Sequence, residues 1–206
     1  MKNIRYELKD VDKILNIEGF YGGDQQWFED ILHSKYLTKK ACSVIAITNF
    51  FIYIAKTKKE YSKLVPENFI ATTISKTDYI KFADKISTFV KPKIYGVPFL
   101  FPMNNGIRKY AKKNGMSLVA QNYNFTWKIR NIVTYIIGAI ANGYPVLMIT
   151  LNHKNPDVKF HWVTITAIYY DESWKIECSN WGEKRVYDLE KWFKEKSLYK
   201  GLIYYQ

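Results

Sequence analysis

Residues 161–182 read HWVTITAIYYDESWKIECSNWG. Two runs rich in branched and aromatic side chains, HWVTITAIYY and WKIECSN, flank the polar triplet Asp171-Glu172-Ser173, the composition of two strands joined by a turn. Strands so closely connected pair antiparallel. Outward from this hairpin the same composition continues, with VLMITLN from Val146 before it and KRVY from Lys184 and LIYY from Leu202 after it. The last third of the chain therefore reads as an antiparallel sheet.

The first two thirds read as helices. Ser43–Ala55, SVIAITNFFIYIA, is apolar nearly all the way round, and such a helix must lie inside a domain. Further helices are expected over Thr77–Val90, Asn104–Asn114 and Thr126–Ala141, the last stopped by Asn142-Gly143 with Pro145 beyond. No repeat, low-complexity tract or linker interrupts the chain, and 206 residues suit one well-packed domain better than two. The expected class is α+β over residues 1–206, with the helices set against one end or face of the sheet.

A hydrophobic share of 48% and an aromatic share of 17% exclude a disordered chain. The net charge of +12 would attract nucleic acid, a membrane surface or an anionic polymer. The lysines, however, come as separate pairs, Lys39-Lys40, Lys58-Lys59 and Lys112-Lys113, which reads as a solvated surface and argues against nucleic acid. The stretch Met1–Glu7 lacks the apolar run of a secretory signal, and no segment reaches the roughly 18 apolar residues of a membrane helix. Two cysteines are too few for a disulfide framework, so a reducing compartment, the cytoplasm, is expected.

Cysteine chemistry needs an activated thiol, a base, a group that orients the base, and donors for an oxyanion. Cys42 stands at the start of the buried helix, where unpaired N–H groups and the helix dipole favour a thiolate. Of the three histidines, His161 opens a strand and shares a face with Val163, Ile165 and Ala167 by alternation. His33 has no positional logic, and His153 is expected in a solvated loop. The next strand ends at Asn180, which the hairpin returns toward His161, and Trp181 stands ready to shield the pair. Trp174, Ile176, Cys178 and Asn180 share one strand face, which makes Cys178 a core residue. The Cys42 N–H and a side-chain amide, Gln25 in preference to Gln26, would serve the oxyanion, with Trp27, Phe28 and Trp181 along the cleft. Nothing in the sequence asks for a metal or another cofactor.

Cys42 heading a buried helix, His161 opening a strand and Asn180-Trp181-Gly182 closing the next one resemble the papain-like cysteine peptidases. The likeness runs from about Gly22 to Phe193 as scattered short motifs. It is closer to the compact bacterial branch that includes peptidases removing double-glycine leaders, where an entry similar to Gly143-Tyr144-Pro145-Val146 precedes the strands. The resemblance implies a papain-like fold and peptide or amide cleavage through Cys42, His161 and Asn180. Ala41 and Ser43 stand where the family usually has glycine beside the nucleophile, Tyr36 where papain-like enzymes often place the oxyanion glutamine, and Asn180 where many bacterial members have aspartate. A papain-fold domain without catalysis, binding a peptide or an anionic polymer, is the alternative these departures leave open.

Overall fold

The computed structural model describes residues 4–123 and 128–206. In chain order the first elements are β1 (Arg5–Glu7), α1 (Val11–Ile14), β2 (Asn16–Ile17), β3 (Phe20–Tyr21), α2 (Trp27–Leu32), α3 (Lys35–Lys40) and α4 (Cys42–Thr57). Then follow α5 (Glu67–Ala71), α6 (Lys76–Val90), α7 (Leu100–Lys113), β4 (Ala120–Asn122) and α8 (Ile129–Ala141). The chain ends in β5 (Val146–Leu151), β6 (His161–Asp171), β7 (Ser173–Asn180), β8 (Glu183–Asp188), α9 (Leu189–Lys194) and β9 (Tyr199–Tyr205). The class is α+β, and every pairing among the described strands is antiparallel.

The main sheet has the order β4-β9-β5-β6-β7-β8. Because β6 is 11 residues long, one of its edges serves two partners, β5 along His161–Ile165 and β1 along Ala167–Tyr169. A bulge between Ile165 and Ala167 leaves Thr166 as the extra residue. Ala167 therefore pairs with Glu177 and turns to the face of Ser179 and Thr164, not to that of His161 as simple alternation predicts.

Helix α4 is buried from Ser43 to Ala55 and needs cover on every side. The sheet supplies one: Thr164 Oγ1 donates to Ala46 O at 3.1 Å, and the Phe50 ring meets Tyr205 at 5.7 Å. Helix α7 supplies another, with Phe51 stacked on Tyr110 at 5.3 Å. Each such aromatic side chain, taken wholly from water, contributes about 2–3 kcal/mol.

Helices cover both faces of the sheet, not one end or face as expected. Thr150 sits opposite His161, and its Oγ1 accepts from Trp192 Nε1 of α9 at 2.8 Å, on the face turned away from α4. On that same face Tyr204 meets Tyr135 of α8 at 5.5 Å. The reason lies in the strands, since all six residues of β5 and the first eight of β6 are buried and require cover on two sides.

The expected helix over Thr77–Val90 begins one residue earlier. That over Asn104–Asn114 begins at Leu100, because Pro102 falls in the first turn, where its missing N–H costs nothing. Helix α8 is seen from Ile129 onward, while Thr126 and Trp127 lie outside the described residues. No helix of the described residues is long and apolar enough to cross a membrane.

Candidate active site

Helices α3 and α4 meet at Ala41, which ends one and begins the other. Cys42 is thus the first residue of α4 and remains partly exposed, whereas Cys178 is fully buried. Cys42 lines a pocket of about 10 Å³, room for one water, together with Gln25, His161, Asn180 and Trp181. Among the described residues no hydrogen bond joins the Cys42 thiol to His161 in this state.

His161, 8% exposed, places Nε2 at 2.7 Å from Asn180 Oδ1. The orientation of that amide follows from its other partners: Asn180 Nδ2 donates to Tyr187 Oη at 2.9 Å and to Asp157 O at 3.3 Å. A carbonyl oxygen only accepts, so the NH₂ group must face Asp157 and the oxygen must face the imidazole. His161 therefore carries its proton on Nε2 and keeps the Nδ1 lone pair free. Asp157 O is itself fixed by a turn in which Asn155 Oδ1 accepts from Asp157 N at 3.0 Å. Trp181 and Gly182 form a two-residue hairpin turn with positive φ at both positions, 49° and 69°. A tryptophan tolerates that conformation at a cost of about 1 kcal/mol. Its ring lies 4.8 Å from the His161 ring and carries Arg185 at 5.0 Å from its centre.

Burial governs both titrating groups. It holds the His161 imidazole down to about 4, with Arg185 adding to the effect and the Asn180 hydrogen bond opposing it. It also pushes the Cys42 thiol up, outweighing the N–H groups of Trp162, Ser43 and Cys42 itself, and Lys40. The thiolate expected from the helix start is thus not the resting form, because desolvation exceeds the helix-end effect.

The imidazole shift makes a stability prediction. The unfolded imidazole titrates near 6.5 and the folded one near 4, so as pH falls the unfolded chain takes up the proton first. Stability is complete above 6.5 and is lost down to 4, by about 3 kcal/mol in all. Urea unfolding across that window should show this loss for the wild type relative to His161→Gln, which removes the group. Parallel curves for the two proteins would refute it.

Of the two candidate glutamines, Gln25 faces the pocket and Gln26 does not: it is exposed, with Nε2 near Asp30 Oδ1 at 3.3 Å. Gln25 Oε1 is buried without any hydrogen-bond partner. Rotating the amide by half a turn puts NH₂ there instead, a donor aimed beside Cys42. Trp27 and Phe28 do not line the cleft. At 5% and 0% exposure they are core residues, Trp27 packing edge-on against Phe20 and Tyr79 at 5.3 and 5.8 Å. Helix α2 begins at Trp27 and turns both side chains inward.

The Gln25 segment is held by residues that sequence reading missed. Asn49 Oδ1 accepts from Gly23 N at 3.1 Å and from Tyr79 Oη at 2.7 Å, and Nδ2 donates to Ser179 Oγ at 3.0 Å. Ser179 Oγ in turn donates to Tyr21 O at 2.7 Å. The closeness requires glycine: a Cβ at Gly23 would lie 2.2 Å from the Tyr79 ring, and Gly22 has φ 76°. One amide in an otherwise apolar helix was the available signal. His153, expected in a solvated loop, is 4% exposed, accepting from Asn155 N at 3.1 Å and lying 3.3 Å from Trp192 O. Among the described residues no three His, Cys, Asp or Glu side chains gather as a metal site. No protein-family model matches this chain, and neither the curated proteins nor the solved structures give a match.

Proposed function

We propose that this chain is a papain-like cysteine peptidase or a closely related amide-cleaving acyltransferase. The observation that carries the reading is the Asn180–His161 pair, whose locked amide leaves Nδ1 unpaired in a pocket shared with a partly exposed thiol. In this mechanism Cys42 Sγ attacks the substrate carbonyl carbon while its proton passes to His161 Nδ1. The negative oxygen is met by the Cys42 N–H and the Gln25 amide. His161 then gives the proton to the leaving amine as the C–N bond breaks, which leaves a thioester. Water, deprotonated by the same imidazole, adds to the thioester and expels the thiol.

A second reading, a papain-fold binder without catalysis, is favoured by the raised thiol pKa and the missing sulfur–imidazole hydrogen bond. Treatment with p-nitrophenyl acetate separates the two. The enzyme reading expects one acetyl group on Cys42, found by peptide mass mapping, and none on Cys42→Ser. It also expects iodoacetamide to label Cys42 faster as pH rises through the alkaline range, following the raised thiol. Acetylation scattered over lysines with Cys42 untouched would end the enzyme reading.

A further inference from the structure

The carboxylates of this chain are unevenly spread. None of its 19 Asp and Glu residues falls between Ile31 and Lys59 or between Lys85 and Pro156. Those stretches hold 16 of the 31 Lys and Arg residues, leaving 15 basic against 19 acidic residues elsewhere. The whole of the positive excess lies in them.

Residues 36–40 of the first stretch and 92–97 of the second meet beside Cys42. Tyr36 Oη donates to Pro92 O at 2.8 Å, Gly96 lies against Lys40 O, and Val97 O accepts from the indole of Trp162 at 2.6 Å. Trp162 in turn lines the Cys42 pocket. On this rim large apolar side chains stand in solvent, Ile94 69% and Tyr95 86% exposed. The surface continues through Phe99, whose ring packs on Tyr199 at 5.2 Å, to Phe101 and Leu198, 74% and 75% exposed. Exposed lysines accompany them in sequence, as in Lys35-Tyr36, Lys93-Ile94-Tyr95, Lys159-Phe160 and Lys196-Ser197-Leu198. Of the neighbouring carboxylates, Asp157 is paired with Arg185 at 3.3 Å, and Glu195 is turned largely inward, 3.3 Å from His153 Nε2.

Protruding apolar tips that alternate with lysines suit hydrocarbon lying beneath a plane of negative charge. A folded acidic partner would have to match their shape, whereas a bilayer yields to them. We propose that this end of the protein binds peripherally to an anionic lipid bilayer. Ile94, Tyr95 and Phe101 enter the headgroup boundary, and Lys91, Lys93, Lys159 and Lys196 lie over lipid phosphates. The Cys42 pocket then borders the membrane surface.

Co-sedimentation with phosphatidylcholine vesicles, with and without phosphatidylglycerol, tests this. Binding to the anionic vesicles should exceed binding to the neutral ones at least about tenfold and should weaken with added salt. The pair Lys91→Glu and Lys93→Glu should lose about tenfold or more, as should Tyr95→Ser with Phe101→Ser. These side chains are exposed, so circular dichroism should show folded variants. Cys42→Ala should bind as the wild type does, which keeps the result separate from the acyl-transfer reading. Equal binding to both vesicle types, no binding at low salt, undiminished binding by the variants, or capture by polyglutamate without vesicle binding would each overturn the proposal.

Discussion

His161→Ala should lower the rate at which p-nitrophenyl acetate acylates Cys42 by about a thousandfold at neutral pH. The magnitude follows from the protonation states. With the thiol pushed up by burial, Cys42 rests as the neutral thiol at neutral pH. On the proposed reading attack depends on proton removal during the reaction, and His161, which lines the same pocket, is the base that would take the proton at Nδ1. Asn180→Ala loses less, about tenfold, because the imidazole remains but its tautomer and orientation are no longer fixed by the 2.7 Å bond. Added imidazole should restore part of the rate to His161→Ala and none to Cys42→Ala. Rescue of that kind distinguishes a lost base from a disturbed fold. Unchanged acylation of His161→Ala would remove His161 from the chemistry.

The two pKa shifts share one origin. Desolvation is the largest cause of each, and it disfavours the thiolate and the imidazolium alike. Both groups line the pocket of about 10 Å³.

What the sequence made legible was what runs long. Strands β5, β6, β7 and β9 are rich in branched and aromatic residues, and α4 is apolar on all sides, so both were readable from composition. Elements of two or three residues, such as β2, β3 and β4, carry no period to detect. The Thr166 bulge inserts a single residue and leaves no trace in the alternation, which misplaced Ala167. At the site, the convergence of Cys42, His161 and Asn180 on one pocket was expected from their places at element ends. Gln25, preferred over Gln26, does line that pocket, though no pattern in the sequence decides between them, since that depends on the rotation of one turn before α2. The direction of the thiol shift was missed because a helix start is visible in sequence and the depth of burial is not.

Asn49→Ala destabilises the fold by about 4 kcal/mol, roughly 12 °C in the unfolding midpoint for a chain of this size. The side chain is 1% exposed and satisfies groups on the loop before α2, on α6 and on β7. Its removal leaves the buried N–H of Gly23 without an acceptor at about 1–3 kcal/mol, and its own bonds to Tyr79 and Ser179 are lost together with the packed volume. Tyr79 Oη is partly spared because Ile45 O lies at 3.2 Å. Asn49→Asp keeps the acceptor but cannot donate to Ser179 and buries a charge, so it should also be destabilised. Ser179→Ala, which removes the acceptor of Asn49 Nδ2 and the donor to Tyr21 O but leaves the bonds to Gly23 and Tyr79 in place, should cost about 2 kcal/mol. The ordering Asn49→Ala well above Ser179→Ala in thermal and urea unfolding is the diagnostic result, and a loss under about 1 kcal/mol for Asn49→Ala would deny the network its role. Because Asn49 ties α4 both to the glycine pair before Gln25 and to the residue before Asn180, the bond that stabilises the core also sets the amide and the imidazole partner at their distances from Cys42.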